Sequence, residues 1–326
     1  MALEGSRDLR DTVAATRFYD ERFRHGYMTQ WPRERCNRVA ALIRALHLRP
    51  NGRALDFGCG TGTFTKVLAQ ALPGWNIEGT DVSEVAIDTA GRRLPLCRFF
   101  PLAELPRREA EFDLVFTHHV LEHVSDIQET ARLLARVSTP TASMFHILPC
   151  GNAGSFEHGV CLLRTDGIRS EPERLFFFEE EGHLRRLDTD SLVALWKGDG
   201  YSLAHAWYAR HRIGAINGQT SFGWQSLMAF TAGDHAVDAR ARRRLRRLRV
   251  GMAALWVVRQ PVVVVNNKRR HGCRTFRDYV LLASALPLYP VAWAIERMTQ
   301  HLTSREWAAR QMDKAGSEMY IHLLRS

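Results

Sequence analysis

The stretch Ala54–Gly62 reads ALDFGCGTG and constrains the chain more than any other segment. Ala54, Leu55 and Phe57 favour a buried strand, and glycines at 58, 60 and 62 follow at once. Glycine has no Cβ, so such a run can turn sharply and bring its backbone close to a ligand. A helix-forming run from Phe64 to Leu72 comes next and stops at Pro73-Gly74. Strand, glycine turn and helix in that order present backbone amides at a helix N-terminus, a common seat for a phosphate. Asp56 argues against a phosphate here. Its carboxylate stands just before the turn, where it would repel a pyrophosphate and attract an ammonium.

The alternation continues downstream. Trp75–Asp81 predicts a strand, Glu84–Arg93 a helix and Cys97–Phe100 a short strand. Phe112–Thr117 predicts a buried strand, Ile127–Val137 a helix and Ala142–Leu148 a further strand. Strands alternating with helices imply a parallel sheet with helices on both faces. Upstream, Val39, Leu42, Ile43, Leu46 and Leu48 fall at helical spacing. Beyond Pro149, glycines at 151, 154 and 159 mark a loop or insertion. Thr189–Gly198 predicts a helix. Tyr201–Arg210 and Ser221–Thr231 read as strands that pair as an antiparallel hairpin at the sheet edge. The expected organisation is a helical lid over 1–50, an α/β core over 51–233 and a basic, apolar helical extension over 234–326.

Asp81 ends the second strand in IEGTDVS, where an acidic side chain accepts hydrogen bonds from ribose hydroxyls. Ser83 is placed to cap the helix that follows. The fourth strand leads into THHVLEHVSD, Thr117–Asp126. With these three motifs in order, the chain resembles the class I S-adenosylmethionine-dependent methyltransferases. Its likeness is to the small-molecule branch that includes the ubiquinone and menaquinone methyltransferases, over residues 35–232. The resemblance implies a Rossmann-like, doubly wound, mostly parallel seven-stranded sheet and S-adenosylmethionine as cofactor. It implies that Asp56, Gly58, Cys59 and Gly60 line the methionine end, that Asp81 binds the ribose and that Val82 packs beside the adenine. The family usually places an acidic residue after the third strand. Here the stretch is FFPLAEL, so Leu102 and Ala103 are expected to give the adenine backbone and apolar contact. Thr117 is expected at the crevice. Tyr27, in an aromatic cluster with Phe18, Tyr19 and Trp31, is expected to close over the sulfonium by cation–π attraction.

Methyl transfer asks little of a protein beyond alignment of the nucleophile and, for some acceptors, removal of a proton. His118, His119, His146, His158 and His183 are the candidate bases, and His119 and His183 lead. Substrate contacts are expected from the N-terminal helices and the Cys150–Asp188 insertion. His123 is expected to brace the start of its helix.

The six cysteines form no CxxC pair and no Cys/His cluster, which argues against a structural zinc site or a disulfide framework. No secretory signal is visible, so a cytoplasmic protein is expected, with peripheral membrane contact as a variant of that expectation. The net charge of +10 is uneven. His235–Ser326 hold 18 Lys and Arg against 6 Asp and Glu, while the rest of the chain holds 27 against 29. Seven arginines fall within Ala239–Arg249, followed by the apolar runs Val250–Val258, Pro261–Val265 and Val280–Ile295. The last run reads as a buried helix pair or an interfacial segment, since a span needs roughly 20 apolar residues. An anionic membrane surface over 239–295 is one expected partner of this region; packing on the core or on a second subunit of a homo-oligomer is the other. Nucleic acid is disfavoured, because Thr117-His118-His119 stands where base methyltransferases carry Asn-Pro-Pro-Tyr or Pro-Cys. The expected activity is methyl transfer to a small-molecule acceptor, apolar or lipid-like. RNA methylation and a non-catalytic cofactor-binding scaffold are the alternatives.

Overall fold

The structure is a computed structural model that describes residues 12–27, 31–170 and 172–325. Residues 1–11 and 28–30 of the expected lid lie outside the described residues. Helices α1 (Thr12–Arg24) and α2 (Arg33–Ala45) lead to β1 (Arg53–Phe57), α3 (Thr63–Ala71), β2 (Asn76–Asp81), α4 (Glu84–Arg93) and β3 (Arg98–Pro101). Next come β4 (Phe112–His118), α5 (Ile127–Val137), β5 (Ser138–Pro149), α6 (Phe156–Cys161), α7 (Thr189–Ala194) and β6 (Tyr201–Ala209). The chain continues through α8 (Ile213–Ser221), α9 (Trp224–Phe230), α10 (Ala239–His271), α11 (Phe276–Ala285), α12 (Tyr289–Arg310) and β7 (Glu318–Arg325). Two compact units result. One runs through Pro149 and adds 181–206 and 319–326; the other comprises 150–180 and 207–318.

The first unit is built on a seven-stranded sheet in the order β3-β2-β1-β4-β5-β7-β6. The pairs β1–β2, β1–β4, β2–β3 and β4–β5 are parallel. Leu55, Leu114, Val115, Phe116, Phe145 and Ile147 are fully buried, as strands covered on both faces require. Helix starts are set by side-chain caps. Ser83 accepts from the Ala86 amide at the head of α4, and Asp126 accepts from the Glu129 amide at the head of α5.

Two elements differ from the sequence expectation. Ser221–Thr231 is not a strand: it holds the end of α8 and the whole of α9. Its buried residues Leu227, Phe230 and Thr231 recur at helical spacing, which outweighs its β-favouring composition. The missing strand is β7, in a tail expected to be helical. Met319, Tyr320, Ile321, His322 and Leu323 are all buried there, between β5 and β6. The core expected over 51–233 therefore includes a strand from far outside that range.

In the second unit, Leu245 and Met252 of α10 pack with Val160, Leu227 and Phe230. Arg259, midway along α10, donates to Asn217 and Thr220 and pairs with Glu296 at 2.5 Å. Glu306 caps α8 by accepting from the amides of Arg212, Ile213 and Gly214. Helix α10 passes straight through Pro261, so the apolar stretches read separately in the sequence form one 33-residue helix. The Val280–Ile295 run is not a buried helix pair. Tyr279, Val280, Leu286, Leu288, Val291 and Trp293 are exposed, and within that run Ala285 and Ala292 are the buried hydrophobics.

Candidate functional site

Strand order reverses at β1, which has β2 on one side and β4 on the other. That reversal opens a crevice beyond the carboxyl ends of β1 and β4, where ligands of doubly wound sheets sit. The glycine turn lies at its mouth. Gly58, Gly60 and Gly62 adopt φ of 75°, 51° and 81°, a region that residues with a Cβ avoid. A Cβ on Gly58 would stand 2.3 Å from Cγ2 of Val120. The amides of Gly58 and Cys59 both donate to the Thr80 carbonyl, which ties the turn to the end of β2.

Two carboxylates flank the turn. Asp81 accepts from the Gly60 amide at 2.8 Å and from the Ser83 amide at 2.9 Å. Asp56 accepts from the Thr65 hydroxyl at 2.6 Å. Burial pushes Asp56 up to about 7 and Asp81 up to about 6, against partial relief from these hydrogen bonds. Charge is therefore costly in both, and a ligand that brings a cation and hydroxyl donors compensates for it. The residues fit the cofactor that the sequence implies.

Helix α1 covers this edge. The Asp20 carboxylate accepts from the Ser83 hydroxyl at 2.5 Å, and a Cβ on Gly60 would meet the Phe23 ring at 3.4 Å. Tyr27 packs on Phe23, with the Arg22 guanidinium 3.9 Å above its ring.

At the end of β4 the backbone kinks. His119 has a φ of 55°. Its Nδ1 lies 3.1 Å from Oε1 of Glu122, and Arg35 donates to its Nε2 at 3.3 Å. Glu122 is 1% exposed. Burial pushes its carboxyl up, but the hydrogen bond from His119 and the charges of His119, His123 and His183 outweigh that and hold it at about 2. Aromatic rings wall the same place: Trp31 stands against His118, His119 and Phe64, and Phe64 stacks on His118 at 3.7 Å.

Most of the expected site residues converge here. Asp56, Gly58, Cys59, Gly60, Asp81 and Val82 surround the turn, and His119 and His183 meet around Glu122. Cys59 is buried, its thiol pushed up by burial and by Asp81 and Asp56, so only its backbone is left to line a ligand. Leu102 opens the turn after β3, half-buried. Thr117 points inward instead, with its hydroxyl shared with His146 Nδ1 at 2.9 Å. His146 is buried, stacks on Trp196 and is pushed down to about 3 by burial, so it sits in the core and not at the crevice. His158 belongs to the other unit. Of the Cys150–Asp188 insertion, only 181–188 belong to the unit that carries the site. Sequence reasoning passed over Asp20, Phe23, Arg35 and Glu122. The first three lie on helices whose register to the sheet no local pattern announces. Glu122 stood inside a recognised motif, but its burial among three imidazoles shows only in three dimensions.

The profile of a family described as a methyltransferase domain matches residues 25–206. The chain is 32% identical over 98 residues to a trans-aconitate 2-methyltransferase of Variovorax paradoxus, covering 29% of this chain and 38% of that one. It is 33% identical over 106 residues to a malonyl-[acyl-carrier protein] O-methyltransferase of Legionella pneumophila, covering 31% and 37%. A demethylmenaquinone methyltransferase of Symbiobacterium thermophilum is 28% identical over 124 residues, covering 35% and 47%. The chain thus spans less than half the length of these curated relatives. Among solved structures, the YcgJ protein of Bacillus subtilis superposes with a TM-score of 0.44 at 15% identity, over 63% of this chain and 86% of that one. An S-adenosylmethionine-dependent methyltransferase of Mesorhizobium loti gives 0.39 at 17% identity, over 56% and 90%. Because the profile match runs through more than half of the sequence, this protein belongs to the class I S-adenosylmethionine-dependent methyltransferase family.

Proposed function

We propose that the chain transfers a methyl group from S-adenosylmethionine to a small, apolar acceptor, with His119 as the base. The observation that supports it is the pairing of two features on one sheet edge. The buried Asp81 carboxylate is tied to the glycine turn at the end of β2, and the His119–Glu122 pair stands at the end of β4. The cofactor supplies an electrophilic methyl on a sulfonium. The glycine turn, which lets the ligand approach its backbone, and Asp81 would hold it, and Asp56 would balance its charge. Nδ1 of His119 faces a carboxylate, so that nitrogen carries the proton and Nε2 carries the lone pair. The acceptor displaces Arg35 from Nε2, which then takes the acceptor proton, and the imidazolium that forms is stabilised by Glu122. Trp31 and Phe64 offer flat apolar walls, which favour an aromatic or otherwise apolar acceptor. The test is transfer of labelled methyl to small-molecule and lipid fractions, with calorimetry of cofactor binding. His119→Ala should lower kcat at least tenfold at unchanged cofactor affinity. Asp81→Ala should weaken cofactor binding roughly tenfold or more, the size expected for lost hydrogen bonds to a charged group. Equal cofactor affinity in wild type and Asp81→Ala would sink the ribose assignment.

The acceptor is proposed to come from an anionic membrane on which the second unit rests. Arg240, Arg242, Arg243, Arg244, Arg246 and Arg247 are all exposed. Outward-facing Val250, Val257 and Val258 follow them along α10, and Phe276, Tyr279, Val280 and Trp293 stand on α11 and α12. Two helical stretches, Ala239–His271 and Phe276–Arg310, are long and apolar enough to cross a membrane, with 28% and 11% of their apolar windows buried. The Arg259–Glu296 pair and the α8 contacts hold the other side of α10 in a packed core, which favours lying along the interface over crossing it. Apolar residues beside the arginines favour lipid over RNA, whose phosphates need only the charge. The full-length protein should float with phosphatidylserine vesicles at low salt and be released at high salt. Changing Arg242, Arg243, Arg246 and Arg247 to Gln should lower partitioning roughly a hundredfold, at about 1 kcal/mol for each arginine near the surface less solvent screening. Failure to float, or an RNA gel shift without flotation, overturns the membrane reading.

A further inference from the structure

We infer that Glu122, His123 and His183 form a site for a divalent first-row transition-metal cation at the acceptor end of the crevice. One ligand atom from each of these residues lies within 4.8 Å of the others. Glu122 is buried; its Oε1 meets Nδ1 of His119, and its Oε2 has no hydrogen-bond partner. A buried carboxylate ringed by imidazoles is compensated either by protons on those rings or by one cation among them. His123 is oriented for the second arrangement. Its Nδ1 lies 3.0 Å from the Gly182 carbonyl, which only accepts, so Nδ1 carries the proton and Nε2 the lone pair. An outer carbonyl that fixes the tautomer in this way is the usual companion of a metal-binding histidine.

The two halves of the site are latched together by one backbone bond and by the Arg185 guanidinium. The Leu184 amide donates to the Glu122 carbonyl at 2.8 Å, and Arg185 donates to the carbonyls of Leu121, Val124 and Ser125. Gly182 permits the close approach: a Cβ there would meet the Tyr19 hydroxyl at 3.2 Å and His123 Nδ1 at 3.5 Å, and its φ is 104°. The imidazoles of His123 and His183 meet edge to face at 4.6 Å. Sequence spacing gives no hint of this set, because His183 arrives from a segment far along the chain and no cysteine takes part.

Two imidazole nitrogens and one carboxylate leave coordination positions open, as in catalytic zinc and non-haem iron sites. Oxygen donors of the acceptor are the natural occupants, and a cation there would lower the pKa of an acceptor hydroxyl beside His119. A carboxylate has two oxygens, so Glu122 can keep one on His119 while the other meets the cation. This role rests on the methyltransferase reading; the binding site itself does not.

The test is Co2+ titration of untagged, chelator-treated full-length protein, read by visible absorbance, with Zn2+ competition and elemental analysis after gel filtration. Wild type should retain one equivalent of either ion. His183→Ala, a change in a half-buried loop, should weaken Co2+ binding at least tenfold, as should His123→Ala and Glu122→Gln, while His47→Ala on the surface leaves it unchanged. S-adenosylmethionine affinity, measured on the same samples, reports that each variant is folded. Its loss in wild type would count against the methyltransferase reading without touching the metal site. No retained ion in wild type, or retention in His183→Ala and His123→Ala equal to that of wild type, overturns the inference.

Discussion

Asp56 and Asp81 hold their protons more tightly in the folded chain than in the unfolded one. Burial lifts both from the ordinary 3.8, to about 7 and about 6. The folded state thus binds more protons than the unfolded state between those values, and the stability of the free protein falls as pH rises from about 4 to about 7. Cofactor binding has the opposite slope. An ammonium and ribose hydroxyls favour ionised carboxylates, so binding expels protons and gains strength with rising pH. Calorimetry between about pH 5.5 and 8 should show affinity rising and then levelling above about pH 7, with heats that depend on the buffer's ionisation enthalpy. Asp56→Asn and Asp81→Asn should each flatten the curve. An affinity independent of pH in wild type would contradict the burial that lifts these groups.

At the scale of elements, α1 reaches the glycine turn without being part of the sheet. Its hold on the crevice is the Asp20–Ser83 hydrogen bond and the Phe23 ring over Gly60. Phe23→Ala and Asp20→Ala should speed cofactor release several-fold in stopped-flow displacement, while the melting temperature of the free protein shifts by no more than about 4 °C, the equivalent of about 1 kcal/mol or less in a domain of this size. If release is unchanged, α1 is packing and not a lid. The elements legible in the sequence were those with local signals. The bounds of α4 and α5 match the expectation residue for residue, because the Ser83 and Asp126 caps fix their starts. Residues 221–231 misled because a short apolar run suits strand and helix alike. The site was legible as far as the glycine turn, Asp81 and His119 go. Glu122 and its ring of imidazoles were not, because their meeting depends on the 181–185 segment folding back onto β4.

At the scale of the molecule, the sheet takes its seventh strand from beyond the whole of the second unit. Ile321 and Met319 of β7 are fully buried, while Leu324 is 41% exposed. Ile321→Asp should cost about 4 kcal/mol or more, the range for an unpaired buried charge, and Leu324→Asp under about 1 kcal/mol. Chemical denaturation of the two variants checks this; equal stabilities would mean that β7 does not insert as described. The insertion has a further consequence, for synthesis. On the ribosome, β5 and β6 emerge roughly a hundred residues before the strand that separates them. At translation rates of about 5–20 residues per second, the nascent chain carries an open slot in its sheet for roughly 5–20 s. Unpaired strand edges invite wrong partners, so the newborn protein is most exposed to aggregation during that interval, and its yield in a cell depends on whatever shields the slot until β7 arrives.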